Sequence, residues 1–325
     1  MSRHRLIIVL LFMTYGKGTQ LKWDCPRRID VPEKCTCEWR GPLRIECKDL
    51  MNERELKSIM KFFSDYNVNQ IKIEDSVLMF LPKQLFVDFK IQIIEIFNTE
   101  ILGFESDNGS EMFSGLENSL IAFYLRNVTG LSSWRWTAFS TLKELKWFLI
   151  KNSDLINVRE EFSRVSPLSL HDIKMEDNEI KYVSNYSFKN HEKLMYLSMD
   201  RNKIESIYRD VLPNPAVSLK AVSFRGNRIS VIPDDFFNNM PALENVWLNE
   251  NRIKFFSVNT FHVMEQGQRF LVDLRENNVY CCSAMKQFVN VKYKDFIMAK
   301  CEYPKTLQGL FIHELKIIDF EHGTC

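Results

Sequence analysis

Leu194-Met195-Tyr196-Leu197-Ser198-Met199-Asp200-Arg201-Asn202-Lys203-Ile204 places apolar residues at positions 1, 4, 6 and 11 and asparagine at position 9. The pattern returns in Leu219-Lys220-Ala221-Val222-Ser223-Phe224-Arg225-Gly226-Asn227-Arg228-Ile229 and in Leu243-Glu244-Asn245-Val246-Trp247-Leu248-Asn249-Glu250-Asn251-Arg252-Ile253. The copies lie 25 and 24 residues apart. Apolar and polar residues alternate within each copy, as in a strand with one buried face. A single strand-bearing coil of this size cannot cover its own apolar side, so successive coils must stack.

Working outward from these copies, the fourth position reads Ile71, Ile94, Phe123, Phe148, Ile173, Leu197, Val222, Val246 and Val272. Steps of 23 to 29 residues separate them. This is the pattern of a leucine-rich-repeat solenoid, an α/β-type fold. It predicts a curved, parallel inner sheet of about ten strands, counting one at Leu43–Cys47. At ~4.8 Å per strand the sheet is on the order of 45 Å long. The convex side is expected to be irregular or short-helical. A recurring Phe (Phe86, Phe139, Phe162, Phe188, Phe237, Phe261) fills the core beneath it.

Asparagine at position 9 is both donor and acceptor, so it ties a turn to backbone groups of adjacent coils. Asn178, Asn202, Asn227, Asn251 and Asn277 keep it, whereas earlier coils carry Ser76, Thr99, Val128 and Ser153. A more regular C-terminal half follows. The 29-residue step contains a polar insertion, Glu105 to Met112, which reads as a loop.

The 325-residue chain begins with Arg3, His4 and Arg5, an apolar run from Leu6 to Tyr15, and Gly16-Lys17-Gly18. That is the layout of a secretory signal peptide over residues 1–18. The apolar run is too short for the ~20 residues that cross a bilayer, so no membrane anchor is expected. Removing residues 1–18 takes away Arg3, Arg5 and Lys17 and no acid, which turns the formal charge from +1 to −2. Nothing in that balance drives binding to nucleic acid or anionic membranes.

Cys25, Cys35, Cys37 and Cys47 precede the repeats, and Cys281, Cys282, Cys301 and Cys325 follow them. An even count in a secreted chain argues for disulfides, while the absence of a Cys-x-x-Cys pair argues against zinc. The expected organisation is a cysteine-rich cap at 19–50, repeats at 51–276 and a second cap at 277–325. Four cysteines allow three pairings in each cap, and spacing does not choose among them.

With these residues in view, the chain resembles the extracellular leucine-rich-repeat proteins with cysteine-rich flanks, over about residues 25–325. Asn277-Asn278-Val279-Tyr280-Cys281-Cys282, with Cys301 and Cys325, looks like the family's C-terminal flank. Asn278 replaces the family's proline, and the first two cysteines are adjacent. The resemblance implies the pairs Cys281–Cys301 and Cys282–Cys325. Cys35-Thr36-Cys37 is similar to the core of the N-terminal flank, with a longer gap from Cys25. The Phe-rich coils and expected secretion also resemble small arthropod proteins similar to the non-catalytic leucine-rich-repeat subunit of a shrimp luciferase.

No phosphate loop, Gly-x-Ser-x-Gly or His-Glu-x-x-His is present, and the six histidines are scattered. No catalytic residue, metal site or cofactor is expected. Asp172, Glu176, Asp177 and Asp200 share neighbouring strands but lack calcium-loop spacing, which reads as a charged surface. Recognition is the better reading. Positions 2, 3, 5, 7 and 8 face the concave side. They place Tyr124 beside Leu149, with Phe97 and Trp147 near by, and Trp247 one strand from Lys220, Arg225 and Arg275. Exposed aromatic and arginine side chains dominate binding energies. Glycan sequons stand at Asn108, Asn127 and Asn185, with Asn127 on the concave rim.

The expectation is a secreted, non-catalytic module that binds a protein ligand through its concave face. An accessory subunit of a secreted enzyme and a soluble receptor-like ectodomain are the alternatives.

Overall fold

The computed structural model describes residues 21–39, 41–105 and 111–320. Strands β1 (Cys35–Trp39) and β2 (Leu43–Lys48) form an antiparallel hairpin, and helix α1 (Glu53–Phe63) follows. Asn52 caps α1 by accepting from the amides of Arg54 and Glu55 at 3.1 and 3.0 Å. The helix buries Leu56, Ile59, Met60 and Phe63, the i, i+3, i+4, i+7 stripe of a surface helix. Then come β3 (Val68–Glu74), β4 (Val77–Leu78), β5 (Ile93–Ile101), β6 (Ala122–Thr129), β7 (Trp147–Lys151), β8 (Asn157–Val158) and β9 (Asp172–Glu176). β10 (Tyr182–Val183), β11 (Tyr196–Ser198), β12 (Ala221–Ser223), β13 (Asn245–Trp247) and β14 (Leu271–Asp273) continue the series. β15 (Val279–Tyr280), β16 (Ile297–Met298) and β17 (Cys301–Tyr303) complete it.

The main sheet has 13 strands in the order β1-β2-β3-β5-β6-β7-β9-β11-β12-β13-β14-β16, with β4 beside β5. Every pair on that path except β1/β2 is parallel. Ile45, Ile71, Ile94, Phe123, Phe148, Ile173, Leu197, Val222, Val246, Val272 and Ile297 pair in succession, all essentially buried. The expected register therefore holds in every coil. The strand count exceeds the expected ten because β1 and β16 lie in the flanks, outside the repeat pattern, and β4 is a short side strand. The architecture is a curved leucine-rich-repeat solenoid.

The expected column of phenylalanines is buried throughout. The structure adds Phe113, which the insertion hides from the periodicity; it packs on Phe86 and Phe139 at 6.4 and 4.5 Å between ring centroids. Trp136 joins Phe139 to Phe162, at 6.0 and 5.9 Å. Between Phe188 and Phe237 the column is interrupted, and Val211 occupies the core there. His191 is fully buried; its ring nitrogens lie 2.9 and 3.3 Å from the carbonyls of Val165 and Phe188, and burial pushes its pKa down.

Asparagine at position 9 staples its coil to the preceding one with two bonds, one donated and one accepted. Asn227 Nδ2 donates to Met199 O of the preceding coil at 2.9 Å, and its Oδ1 accepts from Ile204 N of that coil at 3.0 Å. Asn178, Asn202, Asn251 and Asn277 repeat the arrangement. Ser76, Thr99 and Ser153 manage only half of it. Each hydroxyl accepts from the preceding coil but donates to its own strand, as Ser153 Oγ does to Lys151 O at 2.9 Å. Val128 has no side-chain polar group, and backbone pairing carries on through it, Thr99 opposite Val128. Strands there run to nine and eight residues, against three in β11 to β14.

The caps close with disulfides. Cys25–Cys37 and Cys35–Cys47 staple the N-terminal hairpin, a choice among the three pairings that spacing left open. Cys281 bonds Cys301, the pair the resemblance implies. Cys282 is disulfide-bonded, and Cys325 lies outside the described residues. Residues 1–18 and Asn108 also lie outside them.

Candidate functional site: the concave face

Side chains at positions 3, 5 and 7 project from the parallel strands onto the concave surface. The N-terminal third of that surface is an ion-pair lattice. Lys72 reaches Glu46 at 3.2 Å and Glu74 at 2.7 Å; Lys48 reaches the same two acids at 3.3 and 2.8 Å. Arg44 lies 3.4 Å from Glu95, which also accepts from Gln70 at 2.6 Å. Hydrogen bonds from Lys48 and then Lys72 hold the Glu74 carboxyl down at about 2. Each charge is answered within the lattice, so this region offers little to a charged partner.

The next coils differ. Tyr124, Trp147 and Leu149 line a cavity of about 330 Å³ together with Arg126, Phe148, Asp172 and Lys174. Trp147 is 42% exposed. Lys174 also lines the next cavity, of about 470 Å³, whose walls include Glu176, Tyr196, Asp200, Arg225 and Trp247. The two hollows thus form one trough along β6 to β13. Trp247, 39% exposed, stands at its far end.

Three of the four residues expected as an aromatic patch therefore share a cavity. Phe97 does not line it. Its ring is covered by Lys72 Nζ at 5.0 Å and Arg126 Cζ at 5.2 Å, so cations of the chain itself already occupy its faces. Arg225 faces the trough while its Nε donates to Glu250 at 2.6 Å. Lys220 and Arg275 turn to Glu244 (3.7 Å) and Asp273 (2.6 Å).

The expected acidic strip divides in two. Glu176 and Asp177 are held by Lys151, at 3.5 and 3.3 Å, and by Arg201, at 3.6 and 2.9 Å. Asp200 accepts from the Ser223 hydroxyl and from Arg225 N, and Asp172 makes no side-chain hydrogen bond or ion pair among the described residues. Burial raises the pKa of both. Among the described residues no three His, Cys, Asp or Glu side chains converge as a metal cluster would.

The rim carries a feature absent from the repeat motif. Position 8 is left-handed in coil after coil, with φ between 46° and 58° at Asp75, Asn98, Asn127, Asn152, Asp177, Arg201, Glu250 and Glu276. Asn and Asp tolerate that conformation best, which accounts for their frequency there. Asn127 Nδ2 donates to Asn98 Oδ1 at 2.9 Å, and Asn98 Nδ2 to Asp75 Oδ1 at 3.1 Å. Asn185 sits exposed on a turn away from the main sheet, and the Ser187 of its sequon is buried. Another cavity, of about 520 Å³, lies elsewhere, among turns at Pro215, Asn239, Met240 and Gln268, with His262 as its one ionisable side chain.

The fold is that of a leucine-rich-repeat solenoid, with the trough on its concave face. No family model matches the chain. Bovine osteomodulin is 33% identical to it over 72 residues, 22% of this chain and 16% of osteomodulin's own length. A chain of the octameric complex of Latrophilin 3, Unc5D and FLRT2 (LRR) superposes with a TM-score of 0.59 at 15% identity, covering 88% of this chain and 98% of that one. The TLR13–ssRNA13 complex gives a TM-score of 0.61 at 17% identity, covering 75% of this chain and 32% of that one. At these identities the likeness is one of fold. No helix among the described residues is long and apolar enough to cross a membrane.

Proposed function

We propose that this is a secreted, non-catalytic binding protein whose concave trough, from Tyr124 to Trp247, docks a protein partner. One observation carries the reading: exposed aromatic rings stand over two joined cavities, while the flanking lattice has neutralised its own charges. Such anchors in desolvated pockets are where association energy concentrates. Structural neighbours include both a protein assembly and an RNA complex. A protein partner is favoured here because the concave arginines and lysines are largely paired within the chain, leaving no basic stripe for phosphates. An accessory subunit of a secreted enzyme, as the luciferase resemblance implies, would use the same face; activity that co-purifies with the chain distinguishes it.

The test compares partners recovered from the native secretion by wild type, Trp247→Ala and Trp147→Ala. Loss of a stoichiometric protein from either variant supports the reading, and identical recovery from all three rejects it. Site-specific glycan mapping is the companion measurement. A sugar at Asn127 would stand beside Arg126 on the rim of the first cavity, so full occupancy there would move docking toward Trp247.

A further inference from the structure

Strands β7, β9 and β11 place Trp147, Asp172 and Tyr196 directly opposite one another in the third column of the concave face. The two rings are 42% and 40% exposed, and neither packs on another ring or carries a cation among the described residues. Between them lies the half-buried carboxylate of Asp172, which has no hydrogen-bond or ion-pair partner among the described residues. The neighbouring acids on the next columns, by contrast, are answered by Lys151 and Arg201. Two strand steps of ~4.8 Å set the rings about 10 Å apart at the backbone, and the concave curvature brings their tips closer. A cation midway is then within the ~6 Å of each ring centroid over which its attraction to a π-face operates. It would also face a carboxylate that lacks a counter-ion.

We propose that Trp147, Asp172 and Tyr196 form a binding site for an arginine side chain of the protein partner. The inference rests on the concave face being the docking face and adds the chemistry of its central contact. A guanidinium fits better than an ammonium. It is planar, stacks between rings, and presents paired N–H donors to both carboxylate oxygens. The chain's own nearest candidates do not fill the slot. Lys174, two residues along the same strand, lines both cavities and makes no ion pair among the described residues, and His171 precedes Asp172. Lys174 instead competes by Coulomb attraction, so its removal should strengthen binding.

The test uses the full chain with nitrogen-15 in its tryptophans, the Trp147 indole resonance being assigned from Trp147→Phe. N-acetyl-arginine amide is titrated in, with the neutral citrulline analogue and the lysine analogue as controls. The arginine probe should give a saturable shift of that resonance with a Kd in the range of ~1–10 mM, normal for one anchoring side chain. The citrulline probe should bind at least tenfold more weakly, and the lysine probe severalfold. Asp172→Asn should weaken the arginine probe at least tenfold while melting no lower than wild type, because an unpaired, half-buried charge is gone. Lys174→Ala should tighten it two- to fivefold. No saturable shift, an equal affinity in Asp172→Asn, or citrulline or lysine matching arginine would overturn the proposal. A partner recovered equally by wild type and Asp172→Asn but lost by Trp247→Ala would defeat this site while leaving concave docking intact.

Discussion

The coils before Phe148 and those after Ile173 meet one requirement by different means. Each must tie the end of its strand to the coil before it. In the C-terminal coils an asparagine makes two bonds across the gap, and the backbone leaves the sheet after three strand residues. In the N-terminal coils a hydroxyl makes one such bond, or a valine none, and the strands are longer, up to nine residues, with seven pairs between β5 and β6. The aromatic core follows the same division: unbroken from Phe86 to Phe188, then interrupted at Val211 before Phe237. A shared repeat period thus coexists with two balances between backbone pairing, side-chain stapling and core packing.

The sharpest way to break this contrast is Phe139→Ala. The ring sits 4.5 to 6.0 Å from Phe113, Phe123, Phe148 and Trp136, and removing it should cost ~3–5 kcal/mol in urea unfolding. A cost below about 2 kcal/mol would show that long strands, not the aromatic core, hold the N-terminal half. Next comes Asn227→Ala, which orphans Ile204 N and removes one of the two asparagine donors on each of the Met199 and Phe224 carbonyls, and should cost ~1–3 kcal/mol. Ser76→Ala removes one bond across coils, from Leu50 N at 3.0 Å, and should cost about 1 kcal/mol. Equal losses for Asn227→Ala and Ser76→Ala would erase the distinction between the two rungs.

The smallest effect concerns pH and has opposite signs in the two regions. Glu74 is depressed to about 2, so its contribution is present above the unfolded carboxylate value and is lost as pH falls from about 4.5 toward 2. Asp200 is raised by burial, so it weighs against the fold at neutral pH and is relieved on acidification through its folded pKa. Melting temperatures at pH 7 and pH 3 should therefore show Glu74→Gln losing less on acidification than wild type. Asp200→Asn should be no less stable than wild type at pH 7 and should gain less than wild type does from protonation. The same trend in both variants would refute the assignment.

Much of the molecule is legible in the sequence. The repeat gave the pairing of Ile71 through Val272 residue by residue, including the coil of Phe123 that follows the insertion. It also placed Tyr124, Trp147, Leu149 and Trp247 on the concave face. The motif does not mark Phe113, because its coil departs from the common length, nor β1 and β16, because flanking strands carry no motif. By motif position Phe97 is equivalent to its aromatic neighbours; Lys72 and Arg126 over its faces set it apart. In sequence Asp172 is one of four similar acids; the other three have side-chain partners.

The amino-acid order alone therefore determined the solenoid, its register and the face each side chain takes, because a period near two dozen residues repeats those assignments coil by coil. Tertiary structure alone decided which N-terminal cysteines join, which concave charges cancel, and which rings and carboxylate remain unengaged. They depend on side-chain reach and burial, and many of the partners, such as Lys72 and Glu46, lie on adjacent strands, which the motif of one coil does not record.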